Sequence, residues 1–231
     1  MQRSPSTCGS CGATASRGCS VQRGKFITIE GIEGVGKSTN MDFLARLVEN
    51  RGHRVMTTRE PGGTPIAENI RQILKEHGDE PLPDVAELLL MFAARSINVN
   101  NAIRPALQSG TWVIADRFTD STRAYQGGGR GFPRESIEWL AKFVHGDLQP
   151  DLTILLDAPV ATAMARAGRR GDLDRFEVEQ ADFFERVRAA YLQLAASEPG
   201  RFAVVDCSRD IASVQAVIAE IAAELLDEKQ D

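Results

Sequence analysis

Eight consecutive residues, Gly31-Ile-Glu-Gly-Val-Gly36-Lys37-Ser38, have the types and spacing needed to hold phosphate groups. They match G-x-x-x-x-G-K-[ST] at every fixed position. Glycines let the backbone curl so that its N–H groups surround phosphate oxygens, while the lysine supplies a cation and the hydroxyl a ligand for Mg²⁺. An apolar run precedes this loop and a helical pattern follows it, so the pattern predicts a nucleoside triphosphate site with Mg²⁺. The residues predicted to hold the triphosphate are Gly31, Ile32, Glu33, Gly34, Val35, Gly36, Lys37, Ser38 and Thr39.

A second pair of candidate functional residues, Asp116 and Arg117, limits the classes of nucleotide-binding protein that fit the chain. Signalling GTPases need a guanine-reading Asn-Lys-x-Asp, and no Asn-Lys pair occurs in the chain. A motor or transporter ATPase usually carries an acid at the end of a strongly hydrophobic strand, and the candidate acid here is Asp116. Because Arg117 follows it directly, the sequence suggests a second anion held beside the Mg²⁺-bound phosphates.

Alternating apolar runs and helical patterns must position these residues. The strand candidates are Phe26–Glu30, Arg54–Thr58, Trp112–Asp116, Leu152–Asp157 and Phe202–Asp206. The helix candidates are Ser38–Arg51, Ala67–Glu76, Asp84–Asn98, Arg134–Phe143, Pro159–Ala167, Gln180–Ala196 and Ile211–Leu226. This alternation predicts the α/β class, with a parallel five-stranded sheet covered by helices on both faces. Ligands of such sheets bind beyond the carboxyl ends of the strands, where Glu30, Asp116 and Asp157 stand.

Composition limits the class of protein further. The 231 residues carry a net charge of −5, which argues against a nucleic-acid binder or a partner of anionic membranes. No apolar stretch is long enough to cross a bilayer. Residues 1–22 are expected to be a disordered leader because they hold almost nothing to bury, and residues 23–231 a single domain. Cys8 and Cys11 have a metal-like spacing but no second ligand pair, and the cysteine usage fits a reducing cytoplasm.

Four sequence blocks, in order, resemble the thymidylate kinase family, from about Lys25 to Leu225. They are Glu30–Ser38, Thr58-Arg-Glu-Pro-Gly-Gly-Thr64, Asp116-Arg-Phe with Ser121-Thr-Arg-Ala-Tyr-Gln-Gly-Gly-Gly, and Arg166 to Glu177. The resemblance implies the three-layer P-loop NTPase fold and an arginine-rich lid of the bacterial type at about 166–177. It also implies the reaction ATP + dTMP → ADP + dTDP with Mg²⁺, carried out by a homodimer.

The resemblance also implies the residues that hold the dTMP phosphate. Arg71 and Arg117 would bind it and Arg59 would lie close by, which suits the bidentate fork of arginine. The alternative is that each is an ordinary surface salt-bridge residue. Glu33 would contact the deoxyribose 3′-hydroxyl or its water network, and Asp116 would order Mg²⁺ and water between the nucleotides, unless Asp116 is only a structural strand-end acid.

The residues that select the base are expected in the helix candidate Asp84–Asn98 and in the third sequence block. Arg95 would donate to O4 of thymine, with Met91 or Phe92 covering the ring. In the family the stacking phenylalanine stands four residues before the arginine, and in this chain that position is Met91. The sequence therefore leaves open which of Met91 and Phe92 covers the ring, and whether both pack in the core instead. Resemblance further places Thr122 and Gln126 at the thymine edge and Tyr125 near the sugar.

The lid segment supplies the last candidates. Because the phosphate loop has no arginine, Arg170, with Arg166 or Arg169, is expected to stabilise charge on the transferred group. A solvated charged loop is the alternative interpretation of this segment. Two rival functions also remain open, a related kinase with another acceptor and a switch that uses ATP only to change shape.

Overall fold

The computed structural model describes residues 22–76, 80–168 and 179–227. The strands are β1 (Phe26–Glu30), β2 (Val55–Arg59), β3 (Trp112–Asp116), β4 (Leu152–Asp157) and β5 (Phe202–Asp206). The α-helices are α1 (Lys37–Asn50), α2 (Pro65–Lys75), α3 (Asp84–Asn98), α4 (Arg104–Gln108), α5 (Thr119–Thr122), α6 (Arg134–His145), α7 (Val160–Ala167), α8 (Ala181–Ser197) and α9 (Ile211–Asp227). Nearly all of the predicted leader, residues 1–21, and most of the predicted lid, residues 169–177, fall outside the described residues.

All five strands are parallel and lie in the order β2-β3-β1-β4-β5. The central strand β1 is buried along its whole length, which explains why it reads as a continuous apolar run rather than an alternating one. Ile29 of β1 pairs with Asp116 of β3, so the loop after β1 and the Asp116–Arg117 pair leave the same edge of the sheet. The predicted fold class is therefore confirmed.

Helices cover both faces of the sheet because successive side chains of a strand point to opposite sides. Ile114 of β3 packs in the larger core with side chains of α1, α7, α8 and α9. Its neighbours Val113 and Ala115 pack in a second core with Val99, Ile103 and Leu107, at the junction of α3 and α4. The three-layer arrangement follows from these two cores. Among the described helices, none combines the length and apolar character needed to cross a membrane.

Two π-helical segments were not predicted from the sequence. Residues Val99–Ile103 join α3 to α4 without a break, and Arg123–Gly129 continues α5. The second segment contains three successive glycines, which indicate a loop when only the sequence is considered. A Cβ atom on Gly128 would lie 2.5 Å from the Cβ of Ala190, so close packing against α8 explains the glycine here. π-helical turns often occur at functional sites, and this one carries Tyr125 and Gln126.

Candidate active site

The loop between β1 and α1 has the backbone geometry of a phosphate cradle. Gly31, Gly34 and Gly36 all have positive φ, of 134°, 79° and 93°. A Cβ on Gly34 would lie 1.9 Å from the carbonyl oxygen of Ala163 in α7, so only glycine fits there. Gly36 ends the loop in a left-handed conformation and α1 begins at the next residue. The exposed N-terminus of α1 therefore faces whatever the loop holds.

Lys37 lies folded over the loop. Its Nζ donates to the carbonyl oxygens of Gly31 and Ile32, at 3.1 and 2.9 Å. Loss of hydration, together with the positive charge of Arg117, lowers the pKa of Lys37 to about 8. A phosphate group bound in the loop would stabilise the charged form of Lys37 and so raise its pKa again. Lys37 therefore lies where it can bind phosphate, and its charged form is less stable without that anion.

Two oxygen groups next to the loop fit a magnesium ion. Ser38 and Thr39 are exposed at the start of α1. Asp116 Oδ1 is buried and has no hydrogen-bond partner among the described residues. Its charge acts on Lys37, which places it near the loop. A hydroxyl and a carboxylate oxygen are ligands that Mg²⁺ prefers, and the ion normally keeps several waters besides.

Arg117 is the one described residue other than glycine with positive φ, at 74°. Its N–H donates to the carbonyl oxygen of Ile29, which fixes the turn directly after β3. This turn directs the guanidinium toward the phosphate loop, where Nη2 donates to Glu33 Oε1 at 2.7 Å. Backbone strain of this kind persists where surrounding contacts hold it, and it is common in active sites.

Glu33 and Tyr125 complete this contact. The Tyr125 hydroxyl accepts from Arg117 at 2.9 Å and donates to Glu33 Oε2 at 2.6 Å. Burial raises the pKa of Tyr125 well above its ordinary value, so the hydroxyl stays protonated and able to donate. Glu33 of the phosphate loop is thus bound to Arg117, and the predicted triphosphate site and the predicted second anion site meet at this contact.

Behind Arg117 lies a buried carboxyl whose contacts the sequence did not indicate. Glu30 accepts from the N–H of Phe118 at 2.8 Å and from the hydroxyls of Ser121 and Tyr191 at 2.6 and 2.8 Å. The same two hydroxyls accept from Arg117 Nη1. Burial, with repulsion from Asp120, raises the pKa of Glu30 to about 7. Glu30 was recognised as a strand-end acid, but Tyr191 was missed because it is 161 residues away in sequence.

A partly open cleft adjoins the phosphate loop and is here named the central cleft. Eight of the residues predicted to bind dTMP line it: Glu33, Arg71, Met91, Arg95, Arg117, Thr122, Tyr125 and Gln126. Four further lining residues were not predicted: Glu60, Pro61, Lys75 and Ser121.

Arg95 is a buried residue that lines the central cleft. Its Nε donates to Glu60 at 2.6 Å and its Nη2 to the carbonyl oxygen of Phe118 at 3.1 Å. Nη1 is buried and has no partner among the described residues. A buried guanidinium nitrogen without a partner is costly, so a ligand oxygen in the cleft would satisfy it.

The neighbours of Arg95 on α3 differ in position. Met91 lines the central cleft, whereas the ring of Phe92 is 2% exposed and packs with Leu88 and Ile137. Phe92 was a candidate for covering the base, and the structure contradicts that placement. One residue along a helix rotates the side chain by about 100°, so Met91 and Phe92 cannot face the same way. Phe92 instead supports Arg95, whose guanidinium lies 4.9 Å from the ring centre.

The arginines predicted near the acceptor phosphate differ in their contacts. Arg71 lines the central cleft and donates to the carbonyl oxygen of Pro61 at 2.9 Å, and charges of both Asp116 and Arg117 act on it. Arg59 does not line the cleft but lies close by, since its charge acts on Arg71 and Asp116 acts on it. Its side chain is 53% exposed and forms a bidentate pair with Glu68 in the first turn of α2.

Only part of the predicted lid can be placed. Arg166 lies in the last turn of α7, and its Nη1 donates to the carbonyl oxygen of Cys207 at 2.7 Å. That contact places Arg166 at the carboxyl edge of the sheet, since Cys207 follows β5. Arg169 and Arg170 lie outside the described residues.

Comparisons with known proteins identify the family of the chain. The family model described as thymidylate kinase matches residues 29–218. A thymidylate kinase of Pseudomonas syringae pv. tomato is 52% identical over 88% of this chain and 97% of its own length. That of Chromohalobacter salexigens is 56% identical over 85% and 93%. The crystal structure of the Ehrlichia chaffeensis thymidylate kinase superposes with a TM-score of 0.69 at 32% identity, covering 87% of this chain and 99% of that one. The chain therefore belongs to the thymidylate kinase family of nucleoside-monophosphate kinases.

Proposed function

We propose that the chain transfers the γ-phosphate of ATP to dTMP, with ATP in the glycine loop and dTMP in the central cleft. The observation that carries this assignment is the contact between Glu33 and Arg117, which joins the loop to the cleft. Two phosphate-bearing nucleotides in these places would meet at that contact. A nucleoside acceptor would bring no phosphate, and Arg71 and Arg117 would then have no anion to neutralise.

Catalysis is proposed to be alignment plus charge stabilisation. Lys37 binds the β- and γ-phosphates, while Arg71 and Arg117 bind the phosphate of dTMP and turn one of its oxygens toward the γ-phosphorus. That oxygen is already deprotonated at neutral pH, so no general base is needed. Mg²⁺, held by Ser38 and ordered by Asp116, would supply further positive charge on the triphosphate. Arg170, with Arg166, stays the candidate for stabilising the group in transit.

Thymine is proposed to lie at the Arg95 end of the central cleft. The unpartnered Nη1 of Arg95 supports a hydrogen bond to O4, an atom that cytosine lacks. Met91 then covers the ring, Thr122 and Gln126 face its edge, and Tyr125 lies beside the sugar. Glu33 remains the candidate partner of the 3′-hydroxyl or of waters near it.

The finer proposal on assembly rests on exposed apolar side chains. Trp139 and Phe143 of α6 are 64% and 77% exposed and stack on each other at 5.4 Å, and α3 and α2 expose Val85, Leu89, Ile66 and Ile73. Apolar surface of this kind fits a second copy of the chain, which supports a homodimer. Light scattering of wild type against Trp139→Glu tests this.

The free, buried thiol of Cys207 is consistent with a reducing cytoplasm.

The experiment that tests the function is a screen of nucleoside monophosphates as acceptors, following ADP release. We expect dTMP to give the highest kcat/KM, with release of ADP strictly dependent on the acceptor. A faster reaction with another monophosphate, or with thymidine, would transfer the assignment to a related kinase. Slow ADP release that ignores every acceptor would favour a nucleotide-driven switch.

A further inference from the structure

Behind the central cleft, a buried carboxylate holds the side-chain amide of Gln126. Glu87 of α3 is 0% exposed, and its Oε1 accepts from Gln126 Nε2 at 2.7 Å. Arg130, which follows the second π-helical segment, donates to both carboxylate oxygens of Glu87 at 3.2 and 3.1 Å. Sequence analysis singled out Gln126 but gave no role to Glu87 or Arg130.

The chemistry of a carboxylate fixes which way the amide must turn. An ionised carboxylate can only accept hydrogen bonds, so Gln126 has to present its NH₂ group to Glu87. The guanidinium of Arg130 favours the ionised form of Glu87 and so maintains this requirement. Because the NH₂ group is turned toward Glu87 and one of its two N–H groups is bound there, the carbonyl oxygen Oε1 is the amide atom turned away from Glu87.

We propose that Glu87 is a positioning residue that makes Gln126 an acceptor toward the base. Arg95 Nη1 then provides a donor and Gln126 Oε1 an acceptor, on two residues that both line the central cleft. This pair matches a ring in which C=O stands next to N–H, as O4 and N3–H do in thymine. Cytosine presents the reverse pattern, an amino donor beside an acceptor nitrogen. The inference rests on the proposed dTMP site. It adds Glu87 as the residue that decides whether Gln126 presents a donor or an acceptor to the base.

A purely structural role for Glu87 would have different consequences. The pair with Arg130 also ties α3 to the segment after Gly129, and breaking it would lower stability without altering base preference. The decisive measurement is therefore the ratio of kcat/KM for dTMP to kcat/KM for dCMP. The effects of each variant on kcat and on KM are measured separately in the same assay.

The test uses Glu87→Gln, because an amide at this position can donate as well as accept and leaves Gln126 free to turn. We expect KM for dTMP to rise about tenfold with kcat within about twofold, and the dTMP/dCMP ratio to fall about tenfold or more. Asp84→Asn is the matched control, because Asp84 also faces Arg130, at 3.4 Å, and no hydrogen bond joins it to Gln126 in the described structure. The control should keep the wild-type ratio.

A second variant guards against misfolding. Glu87→Gln combined with Arg130→Gln removes both charges together, so neither is left buried and unpaired. An unchanged dTMP/dCMP ratio in folded Glu87→Gln or in the double variant would overturn the positioning role. Gln126→Ala separates this failure from that of the base site. If Gln126→Ala lowers the ratio while the Glu87 variants do not, only the inference fails; if it too has no effect, the proposed base site fails.

Discussion

Replacing Arg117 by alanine tests the meeting point of the two nucleotide sites. The side chain is 15% exposed and donates to Glu33, Tyr125, Ser121 and Tyr191. Removing one charged donor from a preorganised, water-poor site typically costs about 10²–10³ in rate, or about 2.7–4 kcal/mol of transition-state stabilisation. The loss of folding stability should be smaller, about 1–2 kcal/mol, because Tyr125 still donates to Glu33.

The assay is coupled ADP release at saturating ATP over a range of dTMP concentrations. We expect Arg117→Ala to lower kcat/KM by the stated factor with cooperative unfolding retained. Arg117→Lys should fall between it and wild type, because a lysine keeps the charge but lacks the planar fork. Arg134→Ala, at a position 71% exposed, is the surface control. A change of less than about threefold for Arg117→Ala would refute its place in the site.

Four further outcomes are expected. Lys37→Met should abolish transfer to the detection limit of the same assay, and measurable turnover would remove Lys37 from the phosphates. Because the pKa of Lys37 is lowered to about 8, ATP binding at pH 8.5 should be accompanied by proton uptake. Calorimetry in buffers of different ionisation enthalpy should show this uptake in the wild type and not in Lys37→Met. The pKa of Glu30 is raised from 4.5 to about 7, so the folded state holds an extra proton in that window and loses stability as pH rises through it. Glu30→Gln should therefore become more stable relative to wild type between pH 5 and pH 8 in urea titrations, and a constant difference would contradict the shift. Since dUMP lacks one methyl group, its kcat/KM should be lower by about 10–200-fold but measurable.

The strands and the phosphate loop were predictable from local sequence. Four strands have the predicted bounds. Three of them, β1, β3 and β4, lie inside the sheet and appear as continuous apolar runs because both of their faces are buried. β2 begins and ends one residue later than predicted, and it lies at the edge of the sheet with Arg59 partly solvated. The loop was visible because its positive φ angles require glycine at fixed spacing.

Contacts between distant elements were not predictable in the same way. The rotation of α3 decides that Met91 rather than Phe92 lines the central cleft, and periodicity fixes that rotation only to about one residue. Arg59 forms an ion pair with Glu68, a partner nine residues away that local sequence does not single out. Glu87 and Tyr191 carry no local signal at all, because their roles depend on side chains 39 to 161 residues away.

The most direct test of two adjacent phosphate sites is the binding of a single molecule that spans both. Adenosine and thymidine joined through five phosphates would place one nucleoside in each site, and the second site would then bind at high effective concentration. Calorimetry should give an affinity well above that of ATP or dTMP alone, reduced by Lys37→Met and by Arg117→Ala. Binding no tighter than ATP, and indifferent to Arg117→Ala, would contradict the account.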